Sequence, residues 1–466
     1  MPSKSEMLLK ENCEMMNDYD DSPVGFPDYV STSENSPWRT IVASSTPIKP
    51  ILVTPKSSPT IEQPVSDCKE YFLIVVVYAT SIPQIPESNR TRRVDQTRLR
   101  DIRKKLEGHC TSREIETLFT EIIDDAIDLC SDYIGNVVIQ KIVEKCNDSH
   151  RQRLIDAVAD YLAAFGIHKN GTWAVQKIIE CAKTPSQIEA IVDALRPYTP
   201  ALLLDQFGNY VVQCCLRLGE QYNKFVFDAM IVKCWELGQG RFGARAMRAC
   251  LESRHTSKKQ QKDFAVAIIR NSVQLSMNPN GMILITWLME LTALPGRFRA
   301  LSVKLSQHIA LLCCHKLASS TLLKVVTQRA EMDARDHLIR ELFYHEPLLQ
   351  QVLQDANHGI PTIQKIISTG CVNIQEKMRL ADCTRSAISS TRSFEEHHLS
   401  YKRLIEDLDS IPVGKPSQGP FSDAIFASAA SKTSITNDSN GFTAAKFTPT
   451  PSQTPSRDLS NFPTLA

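Results

Sequence analysis

Asn209 and Gln213 stand four residues apart in the stretch Asp205-Gln206-Phe207-Gly208-Asn209-Tyr210-Val211-Val212-Gln213. On a helix turning ~100° per residue, Asn209, Tyr210 and Gln213 project near ~0°, ~100° and ~40°, one narrow face. Two primary amides one turn apart each carry donor hydrogens and a carbonyl acceptor, the complement of a nucleobase edge. Tyr210 adds a flat ring on which such a base can stack. Val211, Val212 and Cys215 fall on the opposite arc and are expected to be buried.

The arrangement recurs. Asp132-Tyr-Ile-Gly-Asn-Val-Val-Ile-Gln140 places Asn136, Val137 and Gln140 at the same three positions. His168-Lys-Asn-Gly-Thr-Trp-Ala-Val-Gln176 places Thr172, Trp173 and Gln176 there, with Trp173 as a strong stacking surface. Gln239-Gly-Arg-Phe-Gly-Ala-Arg-Ala-Met-Arg248 offers Ala244, Arg245 and Arg248. The Arg245 plane can stack on a base, and Arg248 can donate to a base edge or a phosphate, but no amide is present. Further on, Met282, Ile283 and Thr286 give little polar readout, and Ile360, Pro361 and Gln364 replace the ring with proline. The small residue before each set recurs at Gly135, Gly171, Gly208, Gly243, Gly281, Ala318 and Gly359, in steps of 36, 37, 35, 38, 37 and 41 residues. A period in this range marks a stack of helical units, each burying its apolar face against the next.

These repeated motifs resemble the inner helices of PUF (Pumilio-type) RNA-binding repeats, over roughly residues 90–400. The resemblance implies an all-α, right-handed α-solenoid, a crescent of about eight units, that binds single-stranded RNA along its concave side. It implies uracil at Asn209, Tyr210 and Gln213, and uracil with weaker stacking at Asn136, Val137 and Gln140. Thr172, Trp173 and Gln176 are similar to the family's adenine-reading sets, with Thr as a departure that leaves the base open. His315-Lys-Leu-Ala-Ser-Ser-Thr-Leu-Leu-Lys324 is similar to the guanine-reading unit, but Leu323 stands where that unit needs Glu and cannot accept from guanine. The implied element is 5′-U-(A or any)-U-3′, with no required UGU core. By resemblance the chain acts on mRNA 3′ untranslated regions in the cytoplasm, as a monomer. It lowers translation or stability by recruiting protein factors. The pattern is similar to the fungal branch whose members carry an RNA-recognition-motif domain ahead of the repeats. No RNP-type aromatic motif occurs before residue 90, so that domain is expected to be absent.

The remaining elements follow from composition and caps. Residues 1–86 and 411–466, rich in Ser, Thr and Pro, are expected to be disordered. Within the first, Tyr71 to Tyr78 reads as a strand that either docks on the first repeat or remains from a lost domain. The basic run Arg90 to Lys105 opens a helix from Val94, and a second begins at Ser112, read as its cap. This segment, 94–130, is expected to supply a degenerate unit ahead of the seven visible ones. In the unit before Asp205, Thr184 caps, Pro185 takes the first helical position, and Ile188, Ile191, Val192 and Leu195 form the buried stripe. Charged capping helices, including Ser393 to Leu408, are expected after Ile374.

Composition excludes several classes. Lys+Arg 53 against Asp+Glu 52 provides no global field for a polyanion, so an RNA partner must meet local charge. Lys141, Lys177, Lys324 and Lys365 follow the last contact positions and are read as solvated side chains rather than phosphate contacts. The 14 cysteines contain no C-x-x-C and are read as free, largely buried thiols. His308, Cys313, Cys314 and His315 fit no common zinc spacing, so neither metal nor cofactor is expected. No phosphate loop, catalytic carboxylate pair or nucleophile motif marks an enzyme, and no run is long enough to span a bilayer. The rival reading is a protein-binding solenoid of HEAT or armadillo type, for which paired amides on successive units have no use.

Overall fold

The computed structural model describes residues 77–86, 94–291, 294–390 and 399–413. Among the described residues the chain is helical, without strands. The repeat has three helices. In the second unit an outer helix, Asp148–Val158, passes through a 3₁₀ turn, Ala159–Tyr161, into a short helix, Leu162–Gly166, and then the inner helix Gly171–Cys181. The third repeats this as Pro185–Leu195, Arg196–Tyr198, Thr199–Leu204 and Gly208–Cys215. The short helix of five to eight residues, present in every unit, has too few turns to show a periodicity of its own.

Seven complete units run from Ser112 to Ser368. Residues 94–130 do not make a separate unit. Gln96–Glu107 is a lone helix packed beside the first inner helix, Gly135–Lys145, while Ser112–Ile122 and Ala126–Ser131 are the outer and short helices of unit 1. At the other end Ile374–Ser390 packs on the short helix of unit 7 and Leu399–Asp409 on its inner helix, Gly359–Ser368. The expected start at Ser393 lies outside the described residues. Within the basic run, three described cations are paired: Arg98 binds Glu121 at 2.7 Å, Arg103 reaches Glu107 at 3.3 Å, and Lys105 reaches Glu114 at 3.3 Å.

Local chemistry accounts for the boundaries. Thr111, not Ser112, caps its helix, closing a capping box with Glu114. Thr184 does the same with Gln187, and Pro185 occupies the first position as expected. Ile191, Val192 and Leu195 are buried, whereas Ile188 is only half-buried. One contiguous apolar core runs through all seven units, and Val211, Val212 and Cys215 lie within it.

A buried polar residue recurs near the start of successive outer helices: Arg151, Gln187, Asn223, Gln260 and Arg297. Each ties its unit to the one before, because a buried polar group must find a partner. Arg151 donates to the carbonyls of Val143 (3.0 Å) and Cys146 (2.8 Å), the end of the first inner helix. Asn223 donates to Leu216 O at 3.0 Å and accepts from Gln260 Nε2 at 2.7 Å. Arg297 donates to Met289 O and Leu294 O.

The recurring glycine is explained by a close approach. A Cβ at Gly171 would lie 2.7 Å from Phe165 O and 3.0 Å from Phe165 Cα, backbone atoms of the short helix just before it. Helix propensity alone favours alanine there by ~0.5–1 kcal/mol. Overpacking against backbone costs ~1–3 kcal/mol and wins. Gly171→Ala is therefore expected to lower the urea midpoint at unchanged slope. Gly370→Ala, where nothing lies within 4 Å of the added carbon, should not. Equal midpoints for the two variants would remove this account of the repeat's marker.

Candidate nucleic-acid interface

The inner helices stand side by side in a row, from Gln96–Glu107 through units 1 to 5. Unit 6 leans instead on the short helix of unit 5, with Thr321 Oγ1 donating to Met282 Sδ at 3.2 Å across the junction. Within each inner helix the apolar majority faces the core. The second and third positions of each set lie at the helix edge left open: Val137, Gln140, Trp173, Gln176, Tyr210, Gln213 and Arg248 are half-buried, and Arg245 is exposed.

The first position of each set is different. Asn136 and Asn209 are only 5% and 6% exposed, and Thr172 is 2% exposed. The asparagine amides do not stand free beside their glutamines as the helical projection suggests. Asn209 Nδ2 donates to the carbonyls of Asp205 (2.8 Å) and Gln206 (2.9 Å), and Gln213 Nε2 donates to Asn209 Oδ1 at 3.0 Å. Unit 1 repeats the relay: Asn136 Nδ2 to Asp132 O and Tyr133 O, then Gln140 Nε2 to Asn136 Oδ1 at 3.0 Å. Backbone carbonyls can only accept, so they fix which end of the asparagine is nitrogen. The asparagine oxygen in turn fixes the glutamine, leaving Oε1 as the acceptor toward solvent. An outward acceptor suits the N3–H of uracil. In unit 2 Gln176 Nε2 donates to Thr172 Oγ1 at 3.0 Å, and the thiol of Cys214 approaches Gln176 Oε1 at 3.8 Å. A hydroxyl can donate as well as accept, so this glutamine is not locked in one sense.

What starts each inner helix was not singled out from sequence, although the signal is there. In units 1, 2, 3, 5 and 6 the residue three before the marker is an acceptor side chain that binds two backbone N–H groups; unit 4 has Gly240 there and no such cap. Asp205 Oδ1 takes Phe207 N and Gly208 N at 2.8 Å each, Asp132 Oδ1 takes Ile134 N and Gly135 N, and Asn278 Oδ1 takes Asn280 N and Gly281 N. In unit 2 the acceptor is His168 Nδ1, at 3.3 Å from Asn170 N and 3.2 Å from Gly171 N. His315 does the same in unit 6, so it is engaged with the chain rather than grouped as a metal ligand. Asn170 Nδ2 also reaches back to Ser131 O at 3.1 Å, tying the second inner helix to unit 1.

The cations are less available than their positions suggest. Arg248 is held by Glu252 at 2.8 Å and Glu290 at 3.4 Å. Lys177 binds Glu180 at 3.0 Å, and Glu180 also binds Arg217 of the next unit at 3.2 Å. Lys141 reaches Glu107 at 3.9 Å, while Lys324 and Lys365 are exposed. At the far end Gln364 donates to Asp407 of the last helix, so its amide is engaged and a carboxylate stands beside it.

Burial pushes the His168 pKa down from its ordinary value, with Lys169 adding to the effect. The folded state thus favours neutral imidazole, the form whose Nδ1 can accept. Stability from this cap is fully present above about pH 6.5, where the unfolded histidine is also neutral. It is lost as pH falls toward the lower folded pKa. Hydrogen exchange over Gly171–Cys181 should speed up between pH 7.5 and 5.5 after correction for intrinsic rates. His168→Asp, which installs the acceptor used in units 1 and 3, should abolish the pH effect; an effect that persists in the variant would assign it elsewhere.

Known proteins share this helical repeat. The sequence profile of the Pumilio-family RNA-binding repeat matches residues 125–159, 161–196 and 201–231. A Pumilio domain-containing protein of Schizosaccharomyces pombe is 45% identical over 293 residues, covering 62% of this chain and 44% of that protein. The mRNA-binding protein PUF2 of Saccharomyces cerevisiae is 36% identical over 300 residues, covering 61% of this chain and 28% of that one. The chain therefore spans less than half the length of these curated relatives. Among solved structures, the PUM-HD domain of S. pombe Puf1 in complex with RNA superposes with a TM-score of 0.63 at 40% identity, covering 71% of this chain and 86% of that one. With three matched repeats and this extent of likeness to the Puf1 domain, the chain belongs to the Pumilio (PUF) family of RNA-binding repeat proteins.

Proposed function

We propose that this chain binds single-stranded RNA sequence-selectively, with base reading concentrated in units 1 to 3. The observation that carries the reading is the carbonyl–asparagine–glutamine relay, built twice on one row of helices with the Thr172 and Gln176 pair between. Each relay leaves one glutamine oxygen as acceptor in a fixed sense, on a helix edge shared with Tyr210 in unit 3 and with Val137 in unit 1. Uracil suits the two locked sets, and the unlocked middle set admits adenine or another base. The element is then 5′-U-(A or any)-U-3′, without a UGU core, because Met282, Ile283, Leu323 and Pro361 supply no equivalent groups.

Arg245 is exposed and aligned with the stacking positions, where a guanidinium can stack on a base or donate to a phosphate. Arg248, gripped by two carboxylates, contributes little net charge. The wider role follows from the family: mRNA recognition through 3′ untranslated regions in the cytoplasm, with lowered translation or stability through recruited factors. A protein scaffold of HEAT or armadillo type has no need for a locked amide relay repeated on neighbouring units. The S. cerevisiae relative named an mRNA-binding protein and the RNA-bound Puf1 domain support the same reading.

Filter binding with short uridine-rich single strands tests it. Trp173→Ala is expected to weaken binding by ~1–3 kcal/mol through lost stacking. Asn209→Ala combined with Gln213→Ala should reduce affinity for the uridine-containing strand and, on this reading, narrow its margin over a strand with cytidine at that position. Undiminished affinity in both variants would return the chain to the scaffold class.

A further inference from the structure

Between Ser253 and Lys262 the chain holds Arg254, Lys258, Lys259 and Lys262 and no carboxylate. Charge is otherwise balanced, Lys+Arg 53 against Asp+Glu 52, so a run of one sign is a local departure. The run joins the end of the unit 4 inner helix, Arg241–Glu252, to the start of the unit 5 outer helix, Lys258–Arg270. All four cations are exposed. Other cations of unit 4 are engaged by acids: Lys224 binds Asp228 at 2.7 Å, Lys233 binds Glu236 at 2.9 Å, and Arg248 binds Glu252. Among the described residues Lys258, Lys259 and Lys262 have no such partner.

Helix stability does not account for the placement. In units 1, 2, 4 and 7 the first turn of the outer helix carries an acid, Glu114, Asp148, Glu220 or Asp333, which complements the positive end of the helix dipole. Unit 5 has Lys258 and Lys259 there instead, like charge against the dipole. Other groups fix this helix start. Ser257 and Gln260 close a capping box, Ser257 Oγ donates to Glu220 Oε1 at 2.9 Å, and Gln261 Nε2 donates to Leu251 O at 2.8 Å. Exposed cations on a braced connection, without acids of their own, suit an anion from outside.

The neighbouring surface indicates which anion. Arg245, exposed on the open edge, belongs to the same unit 4 inner helix. Unit 4 offers no amide to a base, and units 5 to 7 place Met282, Ile283, Leu323 and Pro361 at the aligned positions. A strand that leaves unit 3 therefore meets cations and no amide relay, the chemistry of backbone contact. We propose that Arg245, Arg254, Lys258, Lys259 and Lys262 form a phosphate shelf, holding the sugar-phosphate backbone of nucleotides beyond one end of the element. The shelf rests on the reading of units 1 to 3 as the base-reading row. It supplies sequence-independent, salt-sensitive affinity next to a short selective element.

Filter binding by the full chain across a salt series tests the shelf. The probes are the uridine-containing element alone and the element extended by about four cytidines at its 5′ or its 3′ end. The variant reverses three charges, Lys258→Glu, Lys259→Glu and Lys262→Glu. A control makes the same net change with Lys324→Glu, Lys365→Glu and Lys402→Glu, exposed lysines toward the C-terminal end of the stack. Extension should tighten wild-type binding about threefold or more, and the variant should lose that gain for one of the two ends only. Its log–log salt slope on that strand should shrink by ~1–2, at ~0.7 per phosphate contact, with the preference for uridine over cytidine kept. The urea midpoint of the variant should hold or rise, since glutamates in the first turn suit the dipole, so weaker binding is not unfolding. An absent gain in wild type would overturn the shelf, as would unchanged gains in the variant, equal losses at both ends or the same loss in the control. A wild type indifferent to uridine whose salt-sensitive affinity falls in the variant alone would remove the base reading and leave the shelf standing. No binding to any strand would remove both.

Discussion

The structure depends on how closely each inner helix is allowed to approach the short helix before it. At Gly171 and Gly208 that approach leaves no room for a Cβ against Phe165 and Leu202. The acceptor three residues upstream, Asp132, His168 or Asp205, pins the first amides of the inner helix at the same point. Steric contact and cap together set the rotation of the helix about its own axis. A rotation error of one residue, ~100°, would carry Gln213 from the open edge into the core. The side chains at the open edge are therefore positioned by groups that lie away from it.

On this shared scaffold the units diverge most in what they hold at the open edge. Units 1 and 3 carry the locked relay, unit 2 an unlocked pair with an indole, and unit 4 two arginines, one of them neutralised by Glu252 and Glu290. Past unit 5 the edge turns to Ser, Thr, Leu, Ile and Pro, while the core and inter-unit bonds continue. Asp407 then closes the row beside Gln364. Packing demands act on the buried arc and binding demands on the open one. The buried arc can stay regular through seven units while the other changes.

Two kinds of link join the units. Apolar contact is continuous, and buried polar residues at the starts of the outer helices stitch units 2 to 6 to their predecessors. The segment 77–86, read from sequence as disordered or docked on the first repeat, lies outside this pattern, with Ala79 N–H donating to Pro197 O of unit 3 and Ile82 and Ile85 packed on the apolar core.

Period, apolar arc and caps were legible in the chain, and so was the family, because they are local: Thr184 and Pro185 start their helix and Gly208 marks its successor within a few residues of sequence. The two open positions of each set were legible for the same reason, since helical projection is a property of one segment. The short helix was not, because five or six residues hold too little periodicity. Nor could the sequence show that the asparagine of each amide pair turns inward to the carbonyls of its own loop, since that needs the loop's actual path. The placement of Ile82 and Ile85 on the repeats, the split of 94–130 into a lone helix and part of unit 1, and the neutralisation of Arg248 by Glu290 all join residues with no shared local signal. Composition and spacing determine what each segment prefers to be; only the folded stack decides which side chains, dozens of residues apart, satisfy one another and which are left for a ligand.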